Sequence, residues 1–251
     1  VDEAHCVSMW GHDFRPEYRQ LGQLKRKFKR AAIHAYTATA TDQVRTDIVT
    51  QLHLKSPEVL IGSFDRPNLQ YSAQRRHDRL SQVLDVVNRH NRDSGIIYCI
   101  RRSDVEAMCA SLTAKGLRAV PYHAGMADDE RKKNQDAFIS DRADIVVATV
   151  AFGMGIDKPN VRYVIHAAMP KSLEHYQQES GRAGRDGLDA ECALFYSAQD
   201  YAVWRSILQD SDPEALKISI DKLNRMQNYC TDLLCRHRTI VEYFGQALAK
   251  P

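Results

Sequence analysis

Arg182 and Arg185 lie three positions apart, with Gly181, Gly184 and Gly187 around them, in a stretch that runs from Gln178 to Gly187. Two guanidiniums held that close suit a polyphosphate, because each presents a planar fork of donors to phosphate oxygens. The glycines let the backbone approach a ligand without a Cβ in the way. An arginine brought to a phosphoryl group during transfer stabilises the charge that builds in the transition state. Arg182 and Arg185 are therefore candidates for both catalysis and nucleotide binding, with Gln178 leading into them. In isolation the same residues also read as a solvated basic loop.

Other stretches add chemistry of the same kind. Asp2 and Glu3 are adjacent carboxylates. That pairing suits divided labour: Asp2 to hold Mg²⁺, directly or through water, and Glu3 to orient or deprotonate an attacking water. Their expected place is the carboxyl end of a strand, where open α/β sheets take their ligands; a surface acidic pair is the alternative. Thr37 and Thr39 fall in a run of small hydroxyl residues ending at Thr41, which with Asp42 also reads as a helix cap. In residues 152–159, Gly153 and Gly155 permit a tight backbone path ahead of Asp157. Residues 6–18 interleave Trp10, Phe14 and Tyr18 with Gly11, His12, Asp13 and Arg15. Aromatics among polar groups offer stacking faces to unpaired bases, and Arg15 can serve phosphate or ring faces. Core packing is the alternative for the aromatics, but the glycine, proline and charge density favour a loop.

Residues 1–5, 37–41, 148–159 and 178–187, in that order, resemble the core motifs of superfamily 2 helicases. The wording of residues 6–18 is similar to the aromatic-rich loop of the RecQ DNA helicases. Residues 63–69 are similar to the segment where RecQ chains cross between two RecA-like lobes. The resemblance spans nearly the whole chain. It implies ATP and Mg²⁺ bound between the lobes, with Asp2 and Glu3 from one and Arg182 and Arg185 from the other; Asp157 is placed like the acid that contacts ribose hydroxyls. It implies that Trp10, His12, Phe14 and Arg15 couple single-stranded DNA to ATP hydrolysis, with His5, Thr37 and Thr39 linking nucleotide state to DNA. Arg101, Arg102, His123 and Thr149, in loops after strands, are implied contacts to the DNA backbone. The implied activity is ATP-dependent 3′-to-5′ unwinding of single-stranded and partly duplex DNA in repair and recombination. Two rivals stand beside it: an RNA-directed superfamily 2 ATPase, against which the loop around Trp10 argues, and a non-catalytic nucleic-acid-binding module.

Residues 229–245 resemble the helix that opens the RecQ zinc-binding module. Cys235 matches that module's first ligand; Cys230 does not and is expected to pack. Residues Cys235 to His237 read Cys-Arg-His where the family usually has Cys-Arg-Arg. The family's Cys-x-x-Cys-x-x-Cys cluster is not found here, and one sulfur cannot make a four-ligand site, so zinc is expected only in a full-length protein. No Gly-x-x-x-x-Gly-Lys-Ser/Thr phosphate loop is found either, and the chain opens on Val1. The expectation is a fragment that begins at the acidic pair and is inactive on its own.

Composition sets the frame. The 251 residues are 43% hydrophobic and 27% charged, with net charge +3, as in globular proteins of one large or two ordinary domains. No apolar run is long enough to cross a bilayer, and no membrane partner is expected. Six cysteines at scattered spacing do not form a disulfide framework. An intracellular setting is expected: cytoplasm or nucleoid in a bacterium, nucleus in a eukaryote.

Alternating strand and helix patterns then give the elements that must position these residues. Helices are expected at about 16–28, 42–52, 77–90, 104–115 and 128–139, with another starting after Ser172; Ser103 reads as the cap of the fourth. The strand that should carry Asp2 and Glu3 is expected to be missing from this chain; strands are expected at 32–36, 58–62, 95–100, 117–122, 143–149, 161–166 and 190–196. This rhythm means an α/β fold of RecA-like parallel sheets with helices on both faces. The expected division is a partial first lobe over 1–66, a complete second lobe over 67–205, and a helical segment over 206–251 that begins the zinc-binding module.

Overall fold

The structure is a computed structural model and describes residues 1–150, 152–153 and 157–248. Its first part holds a 3₁₀ turn at Ala4–Val7, a 3₁₀ helix at Pro16–Gln23 running into α1 (Leu24–Lys27), and α2 (Asp42–Gln51). Ala4, Val7, Ala40, Val44, Ile48 and Leu52 close a small core of their own. The helix expected from Pro16 is thus 3₁₀ over most of its length. Residues 16–23 fully bury no side chain, and only Tyr18 and Leu21 pack partly on the small core, so little holds the segment in the wider α geometry.

The strands expected at 32–36 and 58–62 are absent among the described residues. Residues 34–36 run alongside 1–4 and share three backbone bonds with them: Val1 N to the His34 carbonyl, Tyr36 N to that of Val1 and Ala4 N to that of Tyr36. That is too few for a ladder. Val59, Leu60 and Ile61 look like a buried strand in sequence but are exposed. Apolar runs become strands only where another strand lies alongside.

Among the described residues one sheet is therefore found where more than one was expected. It consists of β1 (Leu69–Arg75), β2 (Ser94–Tyr98), β3 (Ala119–Tyr122), β4 (Ile145–Ala148), β5 (Val161–His166) and β6 (Ala190–Tyr196). All pairs are parallel and the order is β1-β6-β5-β2-β4-β3. The period-two alternation shows in the packing. Ile97, Val147 and Ile165 face one layer, made by α3 (Arg79–Arg89) and α4 (Arg102–Thr113). Ile96, Val146 and Val164 face the other, where Phe138 of α5 (Asp128–Ile139) packs with Phe152 and Ala183. Arg101 holds the cap position of α4, and Ser103 lies inside the helix rather than capping it.

After β5 comes α6 (Leu173–Ser180), capped by the Ser172 hydroxyl accepting from His175 N. The chain ends in α7 (Ala198–Leu208), α8 (Pro213–Thr231) and α9 (Arg236–Tyr243). These pack on α6 and β1 through Trp204, Leu223, Met226, Tyr229 and Phe244. A buried ion pair, Arg76 Nη2 to Asp200 Oδ1 at 2.7 Å, fixes the start of α7 to the end of β1.

Candidate nucleotide cleft and coupling loop

A cleft of about 1080 Å³ separates the first part of the chain from the sheet. Glu3, Thr37 and Thr39 line one wall; Gly153, Asp157, Gln178, Arg182 and Arg185 line the other. Residues far apart in sequence and singled out for phosphate chemistry thus meet at one place. Gly155, also expected there, lies outside the described residues.

The arginine loop follows α6 directly, and α6 is held to the sheet by a buried pair, His166 Nε2 to Glu179 Oε2 at 2.8 Å. Arg182 is buried, and its Nη1 donates to the Gly153 carbonyl at 2.6 Å. Its Nε is buried without a partner among the described residues. Arg185 Nη1 lies 3.1 Å from Asp157 Oδ1. The loop backbone is clamped from behind. Arg66 Nη2 donates to the carbonyls of Ala183 and Gly184 at 3.0 and 2.9 Å, and Asn68 Nδ2 to those of Gly184 and Leu188, both at 2.9 Å. Gly184 has φ +55, and a Cβ there would sit 2.5 Å from Asn68 Nδ2. This glycine serves the clamp rather than the approach of a ligand.

On the opposite wall Glu3 adopts a left-handed φ of 47, and Asp2 Oδ1 accepts from its backbone N–H at 2.9 Å. A non-glycine residue in this region is uncommon and such strain clusters at functional sites. Burial raises the Glu3 pKa and the neighbouring Asp2 adds to this, while Arg182 across the cleft and Arg15 pull it back.

Behind Glu3 stands a stack of histidines. His5 Nδ1 lies 3.3 Å from Glu3 Oε2 and 2.9 Å from Thr37 Oγ1. The His5 ring stacks on that of His12 at 3.9 Å, and His12 Nδ1 lies 3.3 Å from Thr39 Oγ1. His12 in turn meets His175 of α6 edge-on at 4.8 Å. Burial lowers His5 to about 4 and His12 to about 3, and pushes His175 well below its ordinary value. The stack is neutral at pH 7.

The segment after His5 is a loop, and Trp10 at its tip is 45% exposed rather than packed in a core. Arg15 pairs with Asp13 at 2.6 Å, and Phe14 lies under the Arg19 guanidinium at 4.9 Å. Trp10's carbonyl accepts from Lys222 Nζ of α8 at 2.5 Å.

Arg101, His123 and Thr149 follow β2, β3 and β4, three adjacent strands in the order β2-β4-β3, so they share the carboxyl edge of the sheet. Arg101 and Arg102 are exposed. His123 is buried, and its Nε2 meets Oε1 of the exposed Glu106 at 2.6 Å, so that nitrogen is already engaged. Cys230 is buried as a packing residue and Cys235 is exposed; all six cysteines are free. Among the described residues no cluster of three or more His, Cys, Asp or Glu side chains is arranged to hold a metal.

Arg66, Asn68, His175 and Lys222 were not singled out in the sequence. Arg66 and Asn68 lie in the stretch resembling the interlobe crossing, which was the available signal; His175 and Lys222 had none, since their partners are remote in sequence.

Residues 76–187 match the helicase conserved C-terminal domain, and residues 198–251 match the RecQ zinc-binding domain. The chain is 48% identical over 253 residues to an ATP-dependent DNA helicase RecQ of Pasteurella multocida, covering 100% of this chain and 40% of the relative. It is 44% identical to the RecQ-like DNA helicase BLM of Xenopus laevis, covering 98% of this chain and 19% of that one. The chain thus spans well under half the length of these curated relatives. Among solved structures, Saccharomyces cerevisiae Dbp5 bound to RNA and ADP BeF3 superposes with a TM-score of 0.65 at 19% identity, over 88% of this chain and 62% of that one. That likeness establishes the α/β, RecA-like fold.

Proposed function

Because the chain belongs to the RecQ family of superfamily 2 helicases, we propose that it supplies both walls of the ATP cleft and the DNA-coupling loop of an ATP-dependent 3′-to-5′ DNA helicase. One observation carries this: Glu3, Arg182 and Arg185, remote in sequence, line the same cleft, and the charge of Arg182 acts on Glu3 across it. The donor set fits a nucleoside triphosphate with Mg²⁺, since two guanidiniums, one with an Nε that is buried without a partner among the described residues, line the cleft opposite Glu3, with Asp2 adjacent to Glu3 in the chain. A bound ATP–Mg²⁺ would supply the phosphoryl group and the charge to be stabilised.

Asp2 would hold the metal and Glu3 would take the proton of the attacking water. A Glu3 pKa raised by burial makes it a better base than an exposed glutamate. Arg182, fixed on the Gly153 carbonyl, anchors the wall. Arg185 serves as the finger, exchanging Asp157 for phosphate oxygens and leaving Asp157 to the ribose; Gln178 completes the nucleotide side. Trp10 takes an unpaired base on its exposed face, with Phe14 and Arg15 beside it. His12 and His5 pass the loop's position to Glu3, and Thr37 and Thr39 brace them. Arg101, Arg102 and Thr149 would meet the DNA backbone at the sheet's carboxyl edge, with His123 supporting that edge from beneath. Cys235 would be the first zinc ligand where the rest of such a site is present. The division proposed is 1–66, 67–205 and 206–251, the last boundary lying within α7.

The test is Arg185→Ala in a chimera where this chain replaces the matching segment of the Pasteurella multocida relative. ATP turnover should fall by roughly 10³-fold or more, with nucleotide affinity much less affected. Near-parental DNA-stimulated turnover would remove Arg185 from the mechanism.

A further inference from the structure

Lys222 lies in the region matched to the zinc-binding domain, yet its ammonium bonds to the Trp10 loop and to α6. Its Nζ donates to the Trp10 carbonyl at 2.5 Å and lies 2.8 Å from Glu174 Oε1 on α6. Glu174 is buried at 4% exposure and Lys222 is mostly covered, at 12%. Burial by itself would raise the Glu174 pKa, but Lys222 beside it holds the carboxyl below the ordinary glutamate value. Next along α6, His175 receives the edge of the His12 ring. The loop that begins after His5 is therefore gripped at two points, at Trp10 by Lys222 and at His12 by His175, and both grips converge on consecutive residues of the helix that carries the arginine loop.

A buried Lys–Glu pair is a poor source of stability, since desolvation offsets much of the attraction. Well-packed apolar side chains would join α6 to α8 as firmly. What the pair provides that they would not is a donor pointed at one particular carbonyl, 212 residues away in sequence.

We propose that Lys222, held by Glu174, is a latch that docks the Trp10 loop on α6, so that the loop and the arginine helix move as one. Lys222 is a positioning residue for DNA-coupled hydrolysis and touches neither nucleotide nor the reacting atoms. The docking stands on the contacts alone; its consequence for hydrolysis rests on the reading of the loop as a DNA sensor.

The chain carries its own reporter. Of its two tryptophans, Trp10 is half-exposed, while Trp204 is buried with its Nε1 bonded to the Met169 carbonyl. Acrylamide quenching of the 251-residue chain therefore reports chiefly on Trp10. Lys222→Gln should raise the quenching constant by roughly twofold as the loop opens locally, and Lys222→Arg, which keeps a cationic donor, should restore the parental value. The double variant Lys222→Met with Glu174→Met leaves no orphaned buried charge; it should fold and still show the raised quenching. Parental quenching in Lys222→Gln, or in the folded double variant, overturns the latch. In the chimera, Lys222→Gln should lower the ratio of DNA-stimulated to basal ATPase by about tenfold, with recovery in Lys222→Arg. Raised quenching with an unchanged ratio would leave the docking in place and overturn the loop's sensing role instead.

Discussion

Gly153→Ala tests the arginine wall without touching an arginine. A Cβ built on Gly153 falls 2.4 Å from Arg182 Nη2, whereas ordinary contact begins at 3.4 Å. The guanidinium must therefore retreat by about 1 Å, which breaks the 2.6 Å bond from Nη1 to the Gly153 carbonyl. Arg182 is buried at the foot of the loop that carries Arg185, so the displacement passes to the finger. Misplacement of a catalytic group by about 1 Å can reduce a rate by about 10². The backbone at Gly153 is not in the left-handed region, so alanine introduces no conformational strain, and the contact is with the end of a long side chain. Thermal stability should stay close to parental while ATP turnover of the chimera at saturating DNA falls about 10²-fold. Unaltered turnover would show that Arg182 need not be held where the structure places it. A large loss of thermal stability would show that Gly153 serves packing instead.

Two further outcomes are expected. Trp10→Ala should lower DNA-stimulated ATPase and unwinding much more than DNA affinity, because a stacked base is worth about 1–3 kcal/mol at one point while phosphate contacts are spread over both lobes; a fall in melting temperature with all activities together would return Trp10 to a packing role. Stability should depend on pH through the histidine stack: burial holds His5 near 4 and His12 near 3 when folded, so the unfolded chain takes up their protons first as pH falls. The contribution is complete above about pH 6.5 and lost as pH drops toward the folded values, with His5 alone giving up about 3 kcal/mol. Melting temperatures between pH 8 and pH 4 should show this slope, and His12→Gln should flatten it; an identical slope in that variant would contradict the assignment.

Elements whose pattern is local were legible. Residues 161–166 and 190–196 form strands as expected, being short apolar runs, and the charged helix runs from Asp128 to Ile139 as its sequence suggests. The arginine stretch was legible because its glycines and arginines sit within ten residues. Val59, Leu60 and Ile61 misled because an apolar run specifies a willingness to pair, while pairing itself depends on a neighbour. Ser103 misled because Arg101 already has the extended backbone of a cap position, so the helix starts before the serine. The clamp of Arg66 on Ala183 and the bond of Lys222 to Trp10 have no local signature at all; they exist only once the sheet order and the packing of α8 bring those segments together.

The most direct measurement of the central claim is strand separation by the chimera on two partial duplexes, one with a 3′ single-stranded tail and one with a 5′ tail, beside its Glu3→Gln variant. The account predicts ATP-dependent unwinding from the 3′ tail, little from the 5′ tail, and loss of both in the variant. A folded chimera that binds DNA and ATP but separates neither duplex, or a Glu3→Gln variant that unwinds like its parent, would contradict it.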